Sequence, residues 1–477
     1  MARKMNPESN SLWKKSMFVS MSQLIRLFTN VLIFVGIARL YGPEEYGQFT
    51  IAYTLATIFI VVADFGFDVL LTTEVAKNRD DVVNIGRKFF SMKILFTLLS
   101  TTFMLLIPAF KAFSPGSRNI IYVLVLYMIF TTFTNFFNAI FRGYERFEFE
   151  TKISFITNLI LLSLLILLGT LKVDLYFLMI SFVMARFVGL IISIIKSRKL
   201  VGGDLIKLDF SGWRITLASV LVYGIHFLFG NLYFQIDTIL LGFIRGDQDA
   251  GIYQAAFKIM LMLLLIPEIA ISTILPMLSK VFVNNRESWS NIGRLLFKIL
   301  FFIALPVAIL LYFNSDIIIT IVFGGKAFNE AIPVLQIFSF VILLRFSVEP
   351  FALMLTTANR QRIRMYVVIT ATILNLIINS LVIPYYGIIG AAWVSVGINV
   401  LVGLGYIIPN RKFLFEWLNG IKILFFLGLI IFSFLLVDST IAATVVTLLL
   451  YGGLSYFIGF TGAERSSIIN NFLFRRF

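Results

Sequence analysis

The sequence predicts an all-α polytopic membrane protein, and three observations predict it. Hydrophobic residues fill 59% of the 477 positions and charged residues 14%, against about 25% charged in a soluble domain. The apolar residues gather into runs that reach the roughly 20 residues a helix needs to cross a bilayer. The basic residues are shared very unequally between alternate connections. Together with a mean hydropathy of +0.94, these features exclude a soluble enzyme, a disordered chain and a disulfide scaffold. With no cysteine and a single histidine, His226, the chain has no thiol nucleophile, no Cys-ligated metal and no His-based metal site. Neither a cofactor nor a nucleic-acid partner is expected.

Fourteen segments qualify as spans: 17–38, 47–73, 89–110, 119–140, 153–170, 175–195, 215–241, 251–277, 295–313, 332–355, 366–384, 388–409, 421–437 and 441–460. They are long, Phe-rich and poor in Gly and Pro, as helices are, whereas a β-barrel would show alternating segments of about 10 residues. Residues 1–16 are polar and basic (Arg3, Lys4, Lys14, Lys15) with no small-residue cleavage site after them, so no signal peptide is read.

Lys and Arg are retained in cytoplasmic connections. With the N-terminus inside, cytoplasmic segments hold 28 of the 40 basic residues and the outer loops 5; the other seven lie within or at the margins of helices. This split places both termini of a multi-pass cell-membrane protein in the cytoplasm. The longest outer loop is 314–331, too short for a soluble catalytic domain, and the chain has no P-loop and no G-x-S-x-G. It is not expected to be an enzyme.

A repeat runs through the chain. Residues 40–53, LYGPEEYGQFTIAY, echo 244–257, IRGDQDAGIYQAAF, at a shift of 204: Gly42 meets Gly246, Glu45 meets Asp249, and Gly47 meets Gly251. A second echo pairs the turns 141–146 and 355–360 at a shift of 214, the extra ten residues matching the longer loop 314–331 against 111–118. Six helices per repeat is an even number, so both halves enter the membrane in the same sense. They are then related by a pseudo-twofold along the membrane normal, with the pathway between them. The expected domains are an N-terminal six-helix lobe (1–198), a C-terminal six-helix lobe (199–410), and a terminal helix pair with a cytoplasmic tail (411–477).

A charge at the bilayer centre costs at least about 2.5–3.5 kcal/mol, so it faces a partner or an aqueous cavity. The candidate substrate-binding cations are Arg26, Arg186, Lys258 and Arg345. The candidate coupling or charge-balancing acids are Asp64, Asp68, Glu268 and Glu349, with Asp237 also within a span. Arg345 and Glu349 are four apart on one helix face. Arg26 and Arg186 have no opposite charge within four positions, and Arg26 sits in a polar stripe of Ser22, Gln23, Thr29 and Asn30. An arginine in such a cavity suits a phosphate or carboxylate. Asp64 is read as neutralising an arginine or as coupling to a proton or cation. Lys93 and Lys298, near expected cytoplasmic helix ends, are expected to snorkel to the interface. Pro267 and Pro306 mark kinks, and His226 reads as a packed polar residue.

The stretch Ala38–Lys77 (ARLYGPEEYGQFTIAYTLATIFIVVADFGFDVLLTTEVAK) resembles the N-terminal signature of polysaccharide-biosynthesis membrane proteins. These are the Wzx-type oligosaccharide flippases of the multidrug/oligosaccharidyl-lipid/polysaccharide superfamily. Gly242–Phe257, the loop Ile321–Phe328 with Pro333–Gln336, and Ile383–Ala392 carry the same resemblance, which covers residues 13–460. It implies two six-helix lobes in a V, alternating access, and a polyprenyl-diphosphate-linked oligosaccharide moved from the cytoplasmic to the outer leaflet. Membrane lipids, a coupling H+ or Na+, and other polysaccharide-assembly membrane proteins are the partners it suggests. The alternatives are an ion-coupled multidrug or cation exporter on the same fold, a lipid-linked peptidoglycan-precursor flippase, and a membrane glycosyltransferase or polymerase. The last would need a large outer loop.

The charge split yields the first prediction. Truncation fusions of a topology reporter at Gly47 and Gly251 report the outer side, and a fusion at the C-terminus reports the cytoplasm. An outer C-terminus would contradict the inferred orientation.

Overall fold

Apolar runs with helix-forming Leu, Phe, Ile and Met leave the backbone no partner in a bilayer except itself, so each run closes into a helix. The computed structural model describes the backbone of residues 7–109 and 113–411, with side chains from Thr29 onward except Val222, Tyr223 and His226. Every regular element among the described residues is helical. In chain order these are α1 (Pro7–Asp64), α2 (Phe67–Lys77), α3 (Val82–Leu106), α4 (Pro115–Gly143), α5 (Phe147–Thr170) and α6 (Leu175–Val201). They continue as α7 (Trp213–Ile244), α8 (Asp247–Asn284), α9 (Arg286–Phe313), α10 (Ser315–Phe323), α11 (Ala331–Thr357) and α12 (Gln361–Ile407).

Among the described residues, ten helical segments are long and apolar enough to cross a membrane. Two of them are bent: α1 at Gly42 and α12 at Gly387, both with positive φ. The bent α12 holds two of the spans expected from the sequence, and the bent α1 holds the first and the larger part of the second. The last two expected spans, 421–437 and 441–460, lie outside the described residues. The long outer connection 314–331 is not wholly a loop, because it contains the nine-residue α10.

The repeated turns have matching backbones. Gly42 has φ 79° and its repeat partner Gly246 φ 99°. Pro43 follows Gly42 as the first residue of the second arm of α1, where its missing N–H costs nothing. At the other turn, Glu145 and Asn359 adopt φ 60° and 57°. The N–H of Arg146 donates to the carbonyl of Phe141 at 2.8 Å, and the N–H of Arg360 donates to that of Leu355 at 2.8 Å. Both close the helix end in the same six-residue loop.

One break was not expected. The span predicted as 47–73 is interrupted at Phe65 and Gly66, with φ 43° and 85°. The chain leaves α1, turns, and resumes as α2. Phe67, Leu71 and Val75 then bury against Phe89 and Phe90 of α3 and Phe136, Phe137 and Phe141 of α4.

The chain divides into two compact units, residues 1–254 and 255–477. In the first, α1 packs against α3, α4, α5 and α7, and α4 against α6; in the second, α11 packs against α9 and α12. The connection after α6 is strapped to α3. Arg87 Nε donates to the carbonyl of Asp204 at 2.9 Å, Ser91 Oγ accepts the N–H of Asp209 at 2.6 Å, and Leu205 is buried against Gly86.

The left-handed glycines carry a stability prediction. A Cβ added at Gly42 or Gly246 would meet no neighbour, so Gly42→Ala and Gly246→Ala pay only backbone strain, about 1–3 kcal/mol each. Gly397, on α12, is equally uncrowded and has no positive φ. Gly397→Ala should therefore be neutral or slightly stabilising. Thermal unfolding of the three variants in detergent separates the two outcomes.

Candidate functional site

The break between α1 and α2 positions a charge cluster. Asp64 is the last residue of α1, and its Oδ1 accepts the backbone N–H of Asp68 at 3.1 Å, in the first turn of α2. A carboxylate so placed satisfies a free N–H and faces the positive end of the helix. Lys93 of α3 reaches both acids, with Nζ 2.6 Å from Asp64 Oδ1 and 2.7 Å from Asp68 Oδ1. The lysine side chain is 0% exposed, against 22% for Asp64 and 10% for Asp68.

This arrangement corrects two expectations. Lys93 does not snorkel. The sequence reading began its span at 89, one turn before the lysine, whereas α3 begins at Val82, so Lys93 lies about 16 Å along the helix at 1.5 Å per residue. The partner of Asp64 is this lysine and not an arginine. The missed signal was the four-residue spacing of Asp64 and Asp68, which sets two carboxylates on one side of the chain and demands a cation at their depth. Two carboxylates and one ammonium leave the trio one negative charge in excess.

Arg186, on α6, is half-buried. Its guanidinium lies 5.3 Å from the centroid of the Tyr127 ring, and Nη2 is 3.4 Å from the Tyr127 hydroxyl. The ring of Tyr53 is 5.8 Å from that of Tyr127. The face of an aromatic ring attracts a cation without cancelling its charge, and no ion pair joins Arg186 to a carboxylate among the described residues. Tyr53 and Tyr127 are site residues the sequence did not reveal, since nothing in helical spacing tells which of 17 tyrosines meets an arginine from another helix.

In the second unit, Arg345 Nη2 and Glu349 Oε1 are 2.8 Å apart, with side chains 18% and 17% exposed. Nearby in the sequence, Arg364 Nη1 donates to Thr356 Oγ1 at 2.6 Å and lies over the ring of Tyr406. Lys258 is half-buried on α8, and Glu268 is exposed just after Pro267. Glu268 is the repeat counterpart of Asp64 at the shift of 204, but α8 runs unbroken where α1 stops. Asp237 accepts the Tyr253 hydroxyl at 2.8 Å. Arg26 lies on the described backbone of α1, and its side chain is outside the described set. The structure thus joins Asp64 to Asp68 through Lys93 and Arg345 to Glu349, and sets Arg186 against aromatic rings.

Comparison with known proteins agrees with this architecture. The model of the polysaccharide biosynthesis protein family matches residues 12–282, and the MatE family model matches residues 223–381. An Escherichia coli (strain K12) protein described as "Putative O-antigen transporter" is 24% identical over 355 residues, 70% of this chain and 81% of that one. Among solved structures, the lipid II flippase MurJ in an inward closed conformation aligns with a TM-score of 0.73 at 16% identity, covering 93% of this chain and 98% of that one. An inward-facing multidrug resistance MATE family transporter aligns with a TM-score of 0.66 at 14% identity, covering 84% and 98%. At these identities the structural likeness is one of fold.

The buried trio makes a test of its own. Lys93→Met leaves two carboxylates without their cation, and removing one partner of a buried pair costs about 3–5 kcal/mol. The variant should lose most folded protein from the membrane. Adding Asp64→Asn and Asp68→Asn removes the stranded charge and should restore folded protein, measured by detergent-extracted monodisperse yield. Equal losses in the single and triple variants would show that the lysine acts through packing instead.

Proposed function

We propose that this chain, which belongs to the polysaccharide biosynthesis protein family, moves a polyprenyl-diphosphate-linked oligosaccharide from the cytoplasmic to the outer leaflet by alternating access of two six-helix lobes, 1–198 and 199–410. The chain is a multi-pass membrane protein that shares its fold with the MurJ and MATE structures.

The observation that carries the substrate class is Arg186. Lys93 is spent on two aspartates and Arg345 lies against Glu349, whereas Arg186 is held by rings. A guanidinium oriented by aromatics keeps its charge and its paired N–H donors for an anion, and a diphosphate is the anion that such a fork fits. Arg26, Lys258 and Arg345 are proposed to join it along the path. The lipid tail stays in the bilayer while the sugar and diphosphate use the hydrated route.

An H+ or Na+ drive is proposed to act at Asp64 with Asp68, since a trio with one excess negative charge inside a membrane favours taking up one positive charge. Glu268 and Glu349 are the corresponding candidates in the other half. The MatE match over 223–381 favours a second reading, an exporter of organic cations. That reading has Arg186 against it, because a guanidinium set against an aromatic ring and not against a carboxylate repels an organic cation.

Reconstituted protein in vesicles carrying a fluorescent polyprenyl-diphosphate sugar tests the reading. Arg186→Ala and Arg26→Ala should each lower flipping by about ten- to a hundredfold, the loss of a charged hydrogen bond of about 1.5–3 kcal/mol, at unchanged protein per vesicle. Arg26→Lys should recover part of the rate, because the charge stays while the two-pronged geometry is lost. Full-rate flipping by both alanine variants would remove the cationic route. Export of a cationic dye by the wild type would favour the second reading.

A further inference from the structure

The two repeated hairpins touch each other. At the end of the molecule expected to face outside, the second arm of α1 and the first turns of α8 meet backbone to backbone at Gly47 and Gly251. A Cβ added at Gly47 would fall inside the carbonyl of Asp247, and one at Gly251 would fall inside that of Pro43. Only glycine permits this approach. Gly47 and Gly251 are repeat counterparts, 204 residues apart. Contact between equivalent points is the pattern a twofold axis imposes on residues that lie on it.

A polar clasp sits beside the contact. Asp247, the first residue of α8, is buried. Its carboxylate accepts the hydroxyl of Ser117 at 2.6 Å and that of Ser114. Ser114 is also the N-cap of α4, accepting the N–H of Ser117 at 3.1 Å. The carboxylate therefore lies at the positive end of a 29-residue helix, where a negative charge is favoured. The rings of Phe113 and Phe243, 5.9 Å apart, close the same corner. All these residues belong to the first compact unit.

We propose that Gly47, Gly251 and the Asp247–Ser114–Ser117 clasp form the outer gate of the transport path, shut in this structure and parted when cargo leaves outward. The two elements divide the work. The glycine contact lets the helices close without a gap, and the clasp sets how often they part. Each hydroxyl-to-carboxylate bond can be exchanged for water on opening, so the clasp is a reversible fastening and not a permanent one. The gate rests on the alternating-access reading, but not on which substrate passes.

The absence of cysteine makes a direct test available. Thr54 is buried and lies seven residues inward of Gly47, on the same helix face and roughly 10 Å deeper at 1.5 Å per residue. Thr54→Cys is the reporter, and the probe is a membrane-impermeant maleimide added from outside to intact cells. With the clasp intact, labelling should be slow. Asp247→Ala, or Ser114→Ala with Ser117→Ala, should speed it about tenfold or more, the factor that losing a charge-assisted hydrogen bond produces in an opening equilibrium. Asp247→Asn, which keeps the shape, should fall between. If Asp247→Ala fails to fold, the serine pair carries the test, since it leaves the carboxylate in place. Unchanged labelling in folded variants overturns the gate, whatever the substrate. In a second arm, an oxidised Ser117→Cys/Asp247→Cys pair should stop passage of the fluorescent polyprenyl-diphosphate sugar, and reductant should restore it. Full-rate passage with that bond intact also overturns the gate. Because the labelling arm uses no substrate, it separates failure of the gate from failure of the proposed function.

Discussion

A fully buried lysine held between two aspartates is the constraint around which the N-terminal half is arranged. Hydrocarbon does not tolerate an isolated charge, so Lys93, Asp64 and Asp68 must stay together, and their bonds of 2.6 and 2.7 Å join three helices at one point. The chain breaks between Asp64 and Asp68, at Phe65 and Gly66, and both carboxylates meet one ammonium. The Phe-rich core of α2, α3 and α4 then packs around a position already set by charge. Replacing the trio with apolar side chains would be physically cheap. Its retention is what the proposed ion drive would use.

Different parts of the fold were legible to different degrees, for reasons that follow from what each signal measures. Hydropathy measures length and apolarity, so it located the long helices up to residue 409 but neither α10 nor the start of α2 as a separate helix. The hairpin glycines were legible because φ near 79° and 99° at Gly42 and Gly246 is a local demand that only certain residues meet. The break at Phe65 was not legible, because a phenylalanine at φ 43° has no local reason to be there. Lys93 itself was misread for a related reason. Snorkelling depends on distance from a helix end, and the apolar run starts seven residues after the helix does.

The candidate site was less legible than the fold. Charged residues within spans were visible in the sequence, but their roles depend on partners contributed by other helices. Arg345 with Glu349 was readable because both lie on one helix face. The ring of Tyr127 beneath Arg186 was not, since it joins α4 to α6. This difference reorders the arginines. The sequence, through the polar stripe on its helix, put Arg26 ahead of Arg186, and contact geometry gives Arg186 a reason to keep its charge available while Arg345 meets a carboxylate.

The second arm of α1 links the two features of the first unit. It begins at Gly42, with φ 79°, and ends at the break beside Asp64. Near its start it carries Gly47, in contact with the start of α8. Its far end carries Asp64, bonded to Lys93. In the proposed cycle, taking up a positive charge at Asp64 would weaken its hold on Lys93, and this arm would carry the change to the glycine contact. Release of the Asp247 clasp would reach Asp64 by the same route in reverse, as thermodynamic coupling requires. A fold that needs to make ion uptake and outer opening depend on each other has, in this one helical arm, a mechanical means of doing so.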